Sequence, residues 1–144
     1  VLPYKFEAGT PNYIGSYAFS KALEYVQDIG IEDIARHEEE LVEYIEERLS
    51  RLERVKIYAA GQKKAGAVSF NVYRADGGLI HPFDVGVLLD RQGVAVRTGH
   101  HCAEPLIEHL GVPGTLRASV GLYNTKEDID KLIAALERAI MMLE

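Results

Sequence analysis

The sequence holds a single cysteine, Cys102, in 144 residues, so no intramolecular disulfide is available and a reducing cytoplasm is the expected compartment. Basic charge is also scarce. Sixteen lysines and arginines against 22 aspartates and glutamates leave a formal charge of −6, with no general attraction to phosphate backbones or anionic lipid. Nucleic acid and membrane are not expected partners. Apolar runs such as 85–89 end after a few residues, where a bilayer-spanning helix needs about 20. The N-terminus also lacks the basic-then-apolar order of a secretory signal. No second cluster of cysteine or histidine stands at ligand spacing, and the adjacent residues His100, His101 and Cys102 are poorly placed to chelate one tetrahedral ion. No metal site is expected.

Apolar residues make up 47% of the chain and charged residues 26%, the balance of an ordinary folded domain. A chain of this size buries roughly 68–70% of the surface its unfolded form exposes, enough for one core. The first residue is Val1 rather than methionine, which leads to the expectation of processing or of a piece cut from something longer.

Residues 2–13, with Pro3, Gly9 and Pro11, read as an arm. Phe19, Ala22, Leu23, Val26 and Ile29 then recur at helical spacing up to Gly30, and a long amphipathic helix follows from Ile31 to Leu52 with glutamates on its other face. Val55-Lys56-Ile57-Tyr58 and Val68-Ser69-Phe70-Asn71-Val72 alternate as half-buried strands. Pro82 sits at the start of a short helix ending at Gly93, and Val94-Ala95-Val96 is a strand candidate leading into a loop over 97–105. Residues 105–110 suit one or two helical turns. In 115–120, Leu116, Ala118 and Val120 share one strand face, which turns Arg117 and Ser119 to the other. A last helix begins after Thr125, with Asp128 completing a capping box. With no repeat and no linker, the expected fold is a single α+β domain, a small, mainly antiparallel sheet covered on one side by helices.

Cys102 is the most reactive side-chain type present. A free cysteine is often a small buried hydrophobe, but this one stands in a glycine-containing loop near Arg97, His100 and His101, and nearby cations favour the nucleophilic thiolate. Such a loop would let the sulfur reach a substrate and then swing away. Arg117 reads either as a surface salt-bridge residue or as a guanidinium held on a strand for bidentate carboxylate binding. Thr10 lies in a turn-rich segment suited to a phosphate. His37 and His109 fall in helical stretches, as solvated or capping residues, and the acidic stretch 38–47 is a solvated helix face.

Three segments together resemble the C-terminal part of SUF-type, group II cysteine desulfurases of the class V aminotransferase group. They are Phe6-Glu7-Ala8-Gly9-Thr10-Pro11-Asn12; Ala95-Val96-Arg97-Thr98-Gly99-His100-His101-Cys102-Ala103; and Arg117-Ala118-Ser119 with Tyr123-Asn124-Thr125. The resemblance covers nearly the whole chain and implies the small C-terminal domain of a fold type I pyridoxal 5′-phosphate (PLP) enzyme, residues 1–144, with the larger PLP-lysine domain absent. It implies that Cys102 removes the sulfur of PLP-held L-cysteine as a persulfide, leaving L-alanine, for iron–sulfur cluster assembly. Arg117 would bind the substrate carboxylate, Arg97 would line the site, and His100 and His101 would be its ordered neighbours. Thr10 would reach the PLP phosphate across a homodimer interface, and a sulfur acceptor of the SufE or SufU type would follow. The family's Schiff-base lysine follows a histidine, and none of Lys5, Lys21, Lys56, Lys63, Lys64, Lys126 and Lys131 does, so the isolated chain is expected to be inactive. Tyr13-Ile14-Gly15-Ser16 departs from a stretch that is richer in glycine in relatives. Two alternatives remain: a selenocysteine lyase acting on L-selenocysteine, and a stand-alone, non-enzymatic sulfur carrier or docking domain.

Overall fold

The computed structural model describes all residues, Val1–Glu144, and divides them into two compact units, Val1–Ile34 and Ala35–Glu144. In the first, a short 3-10 turn at Tyr4–Phe6 precedes helix α1, Tyr13–Ile29, which starts where the Asn12 side chain accepts a hydrogen bond from the Gly15 N–H at 2.9 Å. Helix α1 buries none of its residues. The helical spacing read from the sequence is therefore real, but within this chain it serves no core.

Helix α2, Ile31–Ser50, spans the division between the units and buries Leu41, Val42, Ile45 and Leu49 in the second. That unit holds a four-stranded, wholly antiparallel sheet built from β1 (Val55–Ile57), β2 (Ala67–Val72), β3 (Arg97–Gly99) and β4 (Thr115–Ser119), in the order β1-β2-β4-β3. Val68, Phe70, Val72, Leu116 and Ala118 form one face and pack in a single core with α2, α3 (Pro82–Asp90) and α5 (Lys126–Met142). Helix α5 begins with the expected capping box, in which the Asp128 carboxylate accepts from the Thr125 N–H at 3.2 Å. That backbone bond, then Asn124 and Lys131, holds the Asp128 carboxyl below the usual carboxylate range.

Two local expectations change. The strand lies at Arg97–Gly99 rather than at 94–96, because only Arg97–Gly99 finds partners in β4, while Val94 and Val96 pack half-buried against the core. His37 is more than a solvated residue, since its Nε2 lies 3.0 Å from the Asn124 carbonyl and joins α2 to the turn before α5. Close packing also fixes α3 on β3, where a Cβ on Gly86 would come 2.5 Å from Thr98 Cγ2. No helix is long and apolar enough to cross a membrane.

Candidate active site around Cys102

The face of the sheet opposite the α2–α3–α5 core carries Ser69, Asn71, Arg97, Thr115, Arg117 and Ser119, by the alternation of β2, β3 and β4. Arg97 and Arg117 are direct cross-strand partners there. Like charges placed opposite one another in a sheet repel, so the pairing costs stability unless an anion lies between or beside them. The Nε of Arg117 is buried with no hydrogen-bond partner. Both features fit a carboxylate-bearing ligand.

Helix α4, Glu104–Leu110, flanks this face, and between it and the sheet lies a cavity of about 390 Å³ whose lining includes Tyr58, Ser69, His100, His101, Thr115 and Arg117. Asn71 is fully buried rather than half-exposed. Its Nδ2 donates to the Tyr58 hydroxyl and to the Gly114 carbonyl, each at 3.0 Å, and its Oδ1 has no partner. Burial, reinforced by a hydrogen bond and charge interaction with Tyr73, pushes the Tyr58 hydroxyl up to about 12, while Asn71 acts in the opposite sense. Tyr58 is therefore a neutral wall of the cavity. Lys64 also lines it, but its ammonium is bound by the Glu46 carboxylate and by the Ala59 carbonyl.

Residues 100–103 connect the end of β3 to the start of α4 in a tight turn, closed by the Ala103 N–H donating to the His100 carbonyl at 2.9 Å. Gly99 (φ 109°) and Gly114 make the entrance possible, since a Cβ on Gly114 would come 3.0 Å from the Gly99 Cα. His101 and Cys102 follow with φ of 56° and 59°. Left-handed backbone costs non-glycine residues on the order of 1–2 kcal/mol each, and consecutive pairs are rare. The turn presents an exposed Cys102 whose sulfur accepts a hydrogen bond from Arg97 at 3.5 Å. His101 Nε2 meets Thr115 Oγ1 at 2.9 Å and the Thr115 carbonyl at 3.1 Å. His100 is exposed, 3.8 Å from Glu104.

The structure thus brings together five of the six residues singled out from the sequence: Cys102, Arg97, Arg117, His100 and His101. Thr10 lies exposed in the other unit, in the turn ahead of α1. Sequence reasoning missed Thr115, Asn71 and Tyr58. The available signal was the polar side of the β2 and β4 alternation, which places Asn71 and Thr115 on the face that carries Arg117. No group of acidic, histidine or cysteine side chains is arranged to hold a metal ion.

Residues 1–132 match the family described as aminotransferase class-V, and the chain belongs to that family. Within it, the chain is 49% identical over 137 residues to a probable cysteine desulfurase of Halalkalibacterium halodurans, a match covering 95% of this chain and 32% of that protein. The solved structure of a cysteine desulfurase from Thermococcus onnurineus superposes with a TM-score of 0.86 at 40% identity, over 98% of this chain and 34% of that one. The crystal structure of the cysteine desulfurase CsdA, in an S-sulfonic acid form, from Escherichia coli gives 0.87 at 36% identity, over 99% and 34%. The chain therefore spans about a third of the length of the relatives it matches, and its fold is that of the corresponding part of cysteine desulfurases.

Proposed function

We propose that this chain is the sulfur-accepting part of a PLP-dependent cysteine desulfurase, in which Cys102 takes the sulfur of L-cysteine as a persulfide and L-alanine is left. The observation that carries the reading is the Arg97–Arg117 cross-strand pair, with the Cys102 sulfur 3.5 Å from the Arg97 guanidinium. The likeness to cysteine desulfurases over nearly all of this chain supports it.

PLP, when bound, supplies the electron sink that loosens the substrate's carbon–sulfur bond. The residues of this chain fit the substrate end of such a site. The unpartnered Nε and the fork of Arg117 suit the substrate carboxylate, which fixes the direction in which the sulfur projects. Arg97 holds the Cys102 sulfur in place through its hydrogen bond, and the substrate sulfur passes to Cys102 as the carbon–sulfur bond breaks and a sulfur–sulfur bond forms. The substrate carbon gains a proton to become the methyl group of alanine. Carbon is reduced as sulfur is oxidised, so no outside oxidant enters. Thr10 would contribute to the PLP phosphate across a homodimer. Covalent attachment of PLP would fall to residues outside this chain, a reading supported by the lack of a lysine directly after a histidine and by the engagement of Lys64, which lines the cavity, by Glu46. The persulfide would pass to an acceptor of the SufE or SufU type for iron–sulfur cluster assembly in the cytoplasm, where a lone exposed thiol stays reduced.

The test is Cys102→Ser in the intact PLP-loaded enzyme. With L-cysteine, the unaltered protein gains one sulfur atom on the peptide carrying Cys102, and the variant loses both that mass shift and alanine formation. Undiminished alanine formation by the variant would overturn the assignment. Retained cleavage of L-selenocysteine to alanine alongside lost desulfuration is the expected pattern, because selenium can leave as the element without a thiol to accept it. The isolated chain should show no lysine-linked PLP absorbance and no alanine from L-cysteine.

A further inference from the structure

His101 differs from its neighbours in what its ring touches. A carbonyl oxygen only accepts, so at 3.1 Å from the Thr115 carbonyl Nε2 carries the ring proton and donates it. Nδ1 then holds a lone pair that is enclosed and has no partner. Neither nitrogen is free to exchange a proton with a ligand. Burial, then the Arg117, Arg97 and His100 charges, keep the ring from protonating until the pH is below the ordinary histidine range, with the Thr115 carbonyl acting the other way. A neutral ring is the form that can lie beside two guanidinium groups without repulsion.

The anchor of that ring is buried and bonded into the sheet. Thr115 is 1% exposed and pairs in register with Gly99, and the preceding Gly114 carbonyl is held by the fully buried Asn71. The anchored residue begins a left-handed pair, a conformation that persists only where surrounding contacts impose it. On the far side the turn is held by the Leu106 and Ile107 N–H groups, which donate to the Ala103 carbonyl at 3.0 and 3.2 Å. Between those bonds and β4, the His101–Thr115 contact ties the turn to β4, as the Arg97–Cys102 contact ties it to β3.

We infer that His101 is a positioning residue: by donating its Nε2–H to buried Thr115 it holds the left-handed turn that sets the Cys102 sulfur beside Arg97. It exchanges no proton with substrate. The inference deepens the reading of Cys102 as sulfur acceptor, and rests on that reading only for its effect on turnover.

Nitrogen-detected NMR of the chain tests it without turnover. The expected result near neutral pH is a neutral His101 ring, protonated at Nε2, with strong intraresidue HN–Hα cross-peaks at His101 and Cys102 that report positive φ. A ring protonated at Nδ1 would overturn the inference. In His101→Ala the cross-peak at Cys102 should be lost while core resonances persist. In His101→Gln, whose amide can reach the same carbonyl, it should return. A turn unchanged in His101→Ala, or lost equally in His101→Gln, would overturn it. In the intact desulfurase, His101→Ala should lower kcat about tenfold or more with KM changed less than about threefold, a displacement effect, and His101→Gln should recover most of it. Failure of Cys102 to acquire sulfur in the unaltered enzyme would sink the desulfurase reading and leave the NMR result standing.

Discussion

Strand β4 has two sides that do opposite work. Leu116 and Ala118 face the helices, are buried, and find apolar neighbours on every side. Thr115, Arg117 and Ser119 face the other way, beside an unlike set of partners: a second arginine, a cavity and a strained turn. All three buried side-chain atoms that lack a hydrogen bond, Asn71 Oδ1, His101 Nδ1 and Arg117 Nε, belong to this second side. Folded chains leave few such atoms, and of these the Arg117 Nε is the one that a carboxylate would complete. One face is finished by the chain itself, and the other is not.

If that division is right, substitutions on the two sides should separate stability from function. Phe70→Ala, on the helix-covered face, removes a fully buried ring and should cost about 3–5 kcal/mol in denaturant unfolding. Arg117→Leu should change stability by no more than about 1 kcal/mol, since it deletes an unsatisfied donor. In the intact enzyme it should still abolish productive binding of L-cysteine. Equal destabilisation by the two would erase the contrast. Next in size, Gly86→Ala should cost about 1–3 kcal/mol, because the new methyl meets Thr98 on the helix-covered side of β3; unfolding midpoints that match the unaltered chain would show that α3 can slide.

The smallest expected effect is a pH dependence from the open face. The folded His101 resists protonation, so the unfolded chain binds more protons once the pH falls below about 6.5. Stability is therefore full above that value and declines as the pH falls toward the lowered pKa of the folded ring. Denaturant midpoints measured from about pH 7 to about pH 5.5 should decline less in His101→Gln than in the unaltered chain. A decline of the same size in both would assign the proton uptake elsewhere.

Period-two alternation was enough to put Arg117 on the open face, and capping chemistry to start α5 at Thr125, because both are local rules. The sulfur-bearing motif was legible as a string of residue types. Its geometry was not. Positive φ at His101 and Cys102 has no local signature in residues that ordinarily avoid it, and arises from a bond to Thr115, fourteen residues along the chain. Asn71 was expected at half exposure because alternation says nothing of what covers the second face. Helix α1 shows the same limit, since helical spacing predicted its existence and could not say that its apolar residues would find no core in this chain.

The four-residue span from Gly99 to Glu104 has a kinematic consequence. A loose loop would let its sulfur sweep a wide arc, but here the tether is short, doubles back through two left-handed residues and is fastened at both ends. With the turn in this form, the sulfur moves only by rotation of its own side chain. In such a geometry the arriving molecule and the departing one must both do the moving, and the two visits are separated in time because they share one point in space.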